Sequence, residues 1–207
     1  MKALEQFGNI PLNYHALASF FSGYKSPADK FSLLEKEGSL IRLKKGLYVV
    51  SPEISRVSIS RELIANHIYG PSYVSLESAL SFYGLIPEKV FEMRSVTARR
   101  SIRFTNSLGS FDYISVPESY YSVGIRQEIA GDKFAFLIAS PEKALCDMIQ
   151  VVKNHRMQSV KALQAFLEDD LRIDMSKLFA MDVEIIRNCV ETGKKKKELS
   201  LLLNMIQ

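Results

Sequence analysis

Basic side chains concentrate in one short part of this sequence. Residues 1–56 hold eight lysines and arginines against five acidic residues, whereas the whole 207-residue chain has a formal net charge of only +4. Six of the eight fall between residues 25 and 45. Clustered cations neutralise phosphates and release counterions, so this segment predicts contact with an anionic polymer. The residues that we expect to contact DNA are Lys25, Ser26, Asp29, Lys30, Lys36, Arg42, Lys44 and Lys45.

Two kinds of contact are expected within this set. The cations suit phosphates, while Ser26, Asp29 and Lys30 are placed to reach base edges. A simpler interpretation stays open, because charged residues cover any solvated helix and Lys44-Lys45-Gly46 is also an ordinary hairpin turn. Asp29 and Glu35 also reduce the positive charge of this segment.

The elements that position these residues follow from local signals. Asn13 can cap a helix over residues 14–22, and Ser26 with Pro27 opens a second helix that Gly38 ends. Two β-prone runs, 40–43 and 47–50, flank Lys44-Lys45-Gly46 and predict a hairpin. Together with a helix over 2–7, this is the order of a winged helix-turn-helix, whose second helix enters the major groove.

Residues 51–55 are turn formers and mark a domain boundary. We therefore predict a winged helix-turn-helix DNA-binding domain over 1–56 and a second, larger α+β domain over 57–207. The second domain should begin with a helix over 58–67, a strand at 73–74 and a helix capped by Ser75. The predicted class is α+β, with an antiparallel sheet from β-rich segments at 90–96, 101–105, 111–116 and 134–138, and C-terminal helices after Ser140.

A second basic cluster lies in the predicted sheet. It consists of Arg94, Arg99, Arg100 and Arg103, and arginine suits phosphate through its planar fork. It is a possible secondary surface for nucleic acid or a protein partner. Alternation along two strands would instead scatter these charges over an edge hairpin, where they discourage aggregation.

Motifs for catalysis are missing from the sequence. No nucleophile elbow, metalloprotease helix or glycine-rich nucleotide loop occurs, and Cys146 and Cys189 stand outside any metal-ligand spacing. We predict no enzyme, no catalytic residues, no metal and no cofactor. A nuclease using Asp112 and Glu118 is the enzymatic alternative. The longest apolar run, residues 134–139, is far too short to span a bilayer, so a cytoplasmic protein without a membrane partner is expected.

Three stretches of the chain are informative together: SLIRLKKGLYVVSPE at 39–53, YVSLESALSFYGLIPE at 73–88 and ASPEKALCDMI at 139–149. In this order and spacing they resemble the AbiEi antitoxins of bacterial type IV toxin–antitoxin systems and related regulators in phage-defence operons, and the resemblance implies that 57–207 is an antitoxin or regulatory domain. Family members often carry arginine at the wing tip where this chain has Lys44 and Lys45.

The resemblance implies a repressor that binds inverted repeats in double-stranded operator DNA of its own operon. It also implies an antitoxin domain that counteracts a nucleotidyltransferase-like toxin, with no short motif to assign that activity to residues. The alternative is a stand-alone winged-helix regulator whose second domain senses a ligand or a protein.

Overall fold

The first 55 residues alternate short helices with the strands of a small sheet. The computed structural model describes residues 2–131, 134–153 and 157–207. The elements of this part are α1 (Lys2–Glu5), β1 (Leu12–Asn13), α2 (Tyr14–Phe20), α3 (Pro27–Lys36), β2 (Leu40–Lys44), β3 (Leu47–Val50) and α4 (Pro52–Ser55).

Most of the local signals for these elements are confirmed. The Asn13 side chain accepts a hydrogen bond from the Ala16 N–H at 2.9 Å, as an N-cap should. Pro27 is the first residue of α3. Gly46 has a φ of +76°, a conformation that favours glycine, in the turn between β2 and β3.

Several details in this part differ from the prediction. The helices expected over 2–7 and 14–22 end at Glu5 and Phe20, and the Ser26 side chain makes no capping hydrogen bond to α3. Strand β1 adds a third strand antiparallel to β3, with Leu12 opposite Tyr48, and its two residues are too few to show a pattern. The turn expected over 51–55 is a short helix, because Pro52 is suited to the first helical position.

The remainder of the chain combines a six-stranded sheet with helices. Its elements up to the last strand are α5 (Arg61–Ile68), β4 (Ser72–Val74), α6 (Leu76–Phe82), β5 (Met93–Thr97), β6 (Ile102–Asn106), β7 (Gly109–Ser115), α7 (Glu118–Tyr121), β8 (Ile125–Ala130) and β9 (Phe134–Ala139). The helices that follow are α8 (Pro141–Val151), α9 (Val160–Ala165, continued by a π-helical turn at Phe166–Asp170), α10 (Met175–Leu178), α11 (Val183–Thr192) and α12 (Lys196–Ile206). The chain is therefore of the mixed α+β class, as predicted.

The predicted antiparallel sheet is wrong in one respect, because the sheet is mixed. Its strand order is β6-β7-β5-β4-β9-β8, and the pairs β5–β7 and β4–β9 are parallel. Local patterns identified five of these six strands, but they carry no information about which strands become neighbours. Strand β8 was not predicted, since Gln127 stands between Ile125 and Ile129 and interrupts the apolar alternation that marks a strand.

The β2–β3 hairpin contributes to two hydrophobic cores. Leu40, Tyr48 and Val50 are buried with α1, α2 and α3 in a smaller core. Leu43, Leu47 and Val49 are buried in the larger core, which also contains α5, α6, α8 and the large sheet. The hairpin is thus shared between both parts of the chain. The division into 1–56 and 57–207 stays a prediction.

Helix α8 carries buried charged residues. Its Lys143 and Asp147 side chains have no solvent exposure and form an ion pair with a 3.1 Å Nζ–Oδ1 distance. The Tyr73 and Ser75 hydroxyls donate to the same carboxylate at 3.1 and 2.6 Å. The Lys143 ammonium also donates to the Tyr120 carbonyl at 3.0 Å. Ser75, expected to cap α6 with its side chain, instead binds Asp147.

Candidate nucleic-acid interface

Helix α3 turns two of its apolar residues toward the smaller core and presents a mostly polar face to solvent, on which Leu33 is 46% exposed. Phe31 and Leu34 are 2% and 3% exposed and pack in that core. The opposite side of the helix carries Asp29 and Lys36, both exposed to solvent. Ser26 and Lys25 lie exposed just before the helix, so this end is open to a ligand.

An aromatic ring supports Lys30 at the start of α3. The Lys30 Nζ lies 5.4 Å from the centre of the Tyr24 ring, within the range of a cation–π interaction. Tyr24 itself is 51% exposed. This contact holds the ammonium at the outer side of the helix N-terminus, where backbone N–H groups also favour an anion. Sequence reasoning missed Tyr24, although aromatic residues beside basic ones are a known signal of nucleic-acid contact.

The basic residues of the hairpin point in different directions. Arg42 and Lys45 are exposed to solvent. Lys44 is half-buried, and its ammonium donates to the Ile68 carbonyl at the end of α5. A register shift in the β2–β3 ladder between Arg42 and Lys44 accompanies this change. Of the hairpin cations, Arg42 and Lys45 are therefore the ones accessible to a phosphate.

An open groove of about 720 Å³ lies beside the hairpin. Its lining includes Arg42, Lys44 and Lys45, the acidic Glu35, and residues 105–107 at the end of β6 and in the β6–β7 turn. The Asn106 side chain donates to the Leu43 carbonyl at 3.0 Å and fixes the turn against the hairpin. The turn therefore adds polar groups of the second part of the chain to the same surface.

The four arginines of the second basic cluster lie in two different places, two on strands of the sheet and two at a turn. Arg94 binds Glu77 at 2.6 Å and lies 4.0 Å from Asp112, while Arg103 binds Glu92 at 2.8 Å. Ion pairs therefore occupy these two guanidinium groups. The same contacts place Asp112, the carboxylate of the nuclease alternative, between Arg94 and Arg103.

The other two arginines of the cluster lie at the turn between β5 and β6. Arg99 and Arg100 are exposed there, and the Arg99 guanidinium is 5.9 Å from the Tyr69 ring centre. The Tyr69 ring is 6.0 Å from that of Phe104, over which the Lys44 Nζ lies at 5.9 Å. A row of contacts thus connects Lys44 with Arg99. The two aromatic residues of this row were not singled out from the sequence, because they are separated by 35 positions.

No protein-family model matches this chain, and no curated protein does. The resemblance of the three stretches to the AbiEi antitoxins consequently stays an expectation.

The described residues offer neither a membrane-spanning helix nor a grouped set of metal ligands. None of the helices within the described ranges combines the length and apolar character needed to cross a membrane. Within residues 2–131, 134–153 and 157–207, no three His, Cys, Asp or Glu side chains are grouped to hold a metal ion. Cys146 and Cys189 are both buried as free thiols in the larger core.

Proposed function

We propose that this protein is a DNA-binding transcriptional repressor with a winged helix-turn-helix reader, and that it also acts as an antitoxin. In this proposal α3 enters the major groove, and the β2–β3 hairpin is the wing that contacts the backbone. The supporting observation is that Lys30, Arg42 and Lys45 lie on two adjoining elements and face solvent at least in part. Ser26 and Asp29, exposed at the start of α3, are then placed to read base edges.

The second part of the chain extends this surface in the proposal. The β6–β7 turn lines the same groove as the wing, and Arg99 with Arg100 follows along the same row of aromatic contacts. Arg94 and Arg103 are less suited to DNA, because their ion pairs would have to break first.

A salt-dependent binding assay tests the DNA-binding half. The probe is the double-stranded DNA upstream of the protein's own operon, and affinity is measured by fluorescence anisotropy at several salt concentrations. The double variant Arg42→Ala/Lys45→Ala should bind about tenfold more weakly and lower the slope of log K against log salt by about two. The reason is that each cation removed leaves one phosphate unneutralised.

The matched control changes two exposed lysines away from this surface, Lys89→Ala/Lys161→Ala. It should keep both the affinity and the slope. If both double variants lost affinity and salt slope equally, DNA binding would depend on the total charge and not on the hairpin. That result would contradict the proposed winged helix-turn-helix domain.

The antitoxin half is supported by the resemblance of the three stretches to the AbiEi family. The two stretches outside the hairpin, 73–88 and 139–149, meet in the larger core, where Tyr73 and Ser75 bind Asp147. They therefore build the scaffold of the second part, whose exposed surface is left to act on the toxin.

Growth assays test this half separately. The protein is co-expressed with the product of the adjacent gene, and the Arg42→Ala/Lys45→Ala variant is compared with the wild type from a promoter that it does not control. We expect both to restore growth, since toxin neutralisation is assigned to the second part. If the wild type failed to restore growth, the antitoxin role would be contradicted, and the alternative of a stand-alone regulator would be favoured.

A further inference from the structure

Strand β8 forms one edge of the six-stranded sheet. Its pairing partner is β9, and within the described residues its other side has no neighbouring strand. Ile129 on this strand is 65% exposed, and Arg126 and Gln127 are also exposed. An unpaired edge is a template for a further strand.

The backbone groups that face outward from β8 can be assigned. The Ser140 N–H donates to the Gly124 carbonyl at 2.8 Å, so residues 124, 126 and 128 direct their backbone groups toward β9 in the antiparallel ladder. Leu137, opposite Gln127, supports the same alternation, because its N–H and carbonyl bind the Asn66 side chain on the other side of β9. The outward groups are therefore those of Ile125, Gln127 and Ile129.

The side chains of this strand form a pattern that complements itself. Residues 125–129 read Ile-Arg-Gln-Glu-Ile. When two copies run antiparallel about an axis through Gln127, each Ile125 faces the partner's Ile129, and each Arg126 faces the partner's Glu128. The outward backbone groups of both strands then meet as hydrogen-bonded pairs.

The charges of β8 favour this register over the two nearest registers that also align the outward backbone groups. An axis through Arg126 also aligns the outward groups but sets Arg126 against the partner's Arg126. An axis through Glu128 sets two glutamates against each other. Like charges directly opposite are destabilising in a sheet, whereas opposite charges stabilise the pair.

The two charged side chains are already held on the same face of the strand. Arg126 lies 3.8 Å from the Glu142 carboxylate, and Glu128 accepts a hydrogen bond from the Tyr83 hydroxyl at 3.1 Å. These contacts lower the conformational freedom that would be lost when a partner strand arrives.

We propose that a second copy of this chain binds along β8, so that two sheets join into one across a twofold axis at Gln127. The occupant is a second copy because the charges and the apolar residues of this edge match the same strand in reverse. The inference does not depend on DNA binding, so it can fail or hold separately from the proposed function.

Sedimentation of the full chain in the absence of DNA tests the proposal. We expect a concentration-dependent dimer for the wild type, and at least a tenfold larger dissociation constant for Arg126→Glu and for Glu128→Arg. The double variant Arg126→Glu/Glu128→Arg should dimerise again, because the swapped charges are again complementary. A wild type that stays monomeric up to about 100 μM, which allows only dimers weaker than about −5.5 kcal/mol, would overturn the proposal.

A crosslinking experiment keeps the test decisive if a charge variant folds poorly. In a hydrogen-bonded antiparallel pair the Cα atoms are about 5.5 Å apart, within the range that a disulfide spans. Gln127→Cys should therefore form a covalent dimer under mild oxidation, whereas Lys161→Cys, exposed on α9, should not. Cys146 and Cys189 are buried and leave the background low. Equal crosslinking at both positions, or none at residue 127, would refute the twofold axis.

Discussion

Two groups of cations in this molecule are used in opposite ways. Lys143 on α8 is fully enclosed, paired with Asp147, and lies 3.0 Å from the centre of the Tyr120 ring. Arg42 and Lys45 at the hairpin are exposed to solvent. A buried cation must be paired because its charge has lost water, whereas an exposed cation keeps its water and can exchange it for a phosphate. Burial, and not residue type, separates the paired Lys143 from the exposed cations of the candidate interface.

Removal of the buried counterion is the strongest test of this contrast. Asp147→Ala leaves the Lys143 ammonium enclosed without its partner and removes the acceptor of the Tyr73 and Ser75 hydroxyls. We expect the free energy of unfolding to fall by about 3–5 kcal/mol, measured by urea denaturation.

The control is Glu191→Ala, which removes an exposed carboxylate and should change stability by less than about 0.5 kcal/mol. If Asp147→Ala were equally mild, Lys143 would have to reach water in the folded chain, and the contrast between the two groups of cations would be lost.

The stability of the chain at alkaline pH tests the burial of a second polar group, the Tyr113 hydroxyl. The expected effect is smaller than that of Asp147→Ala. Burial raises the pKa of the Tyr113 hydroxyl well above its usual value near 10, and this hydroxyl donates to the Ala65 carbonyl at 2.6 Å. The folded chain therefore keeps Tyr113 protonated where the unfolded chain ionises it. The contribution of Tyr113 to the free energy of unfolding is complete below pH 10. As the pH rises further, this contribution falls by about 1.4 kcal/mol per pH unit.

The measurement is urea denaturation of the wild type and Tyr113→Phe at pH 9 and pH 11. The variant should be less stable at pH 9 because the hydrogen bond to Ala65 is gone, but it should lose less stability between the two pH values. Parallel losses in the two proteins would indicate that Tyr113 ionises equally easily in the folded chain.

Sequence signals of short range predicted the local structure well. Asn13, Pro27 and Gly46 act where their backbone preferences indicated, and α8 begins after Ser140 as expected. Strand order could not be predicted, because it depends on contacts between residues far apart in the chain. The pairing of Tyr73 and Ser75 with Asp147 spans more than seventy positions and has no local signature.

The candidate site shows the same limit. Charge and element order identified the basic segment, but alternation along β2 did not show that Lys44 would turn toward α5 while Lys45 stays exposed. The arginine cluster was likewise one group in sequence and two in space, because Arg94 and Arg103 face acidic partners while Arg99 and Arg100 lie exposed at the β5–β6 turn.

The adjacent pair Lys44 and Lys45 gives the finest test of the contrast, since the two residues differ in burial and not in chemistry. Lys44→Ala removes the hydrogen bond to the Ile68 carbonyl and should lower stability by about 1–2 kcal/mol, while the salt slope of DNA binding stays unchanged. Lys45→Ala should do the reverse, with a slope lower by about one and a stability change under about 0.5 kcal/mol. Both variants are measured by urea denaturation and by the anisotropy assay. Because neighbouring lysines change the net charge equally, any difference between them reports on position alone. An equal reduction of the slope in both variants would mean that Lys44 leaves Ile68 to bind DNA, and an unchanged slope in both would contradict the role of Lys45.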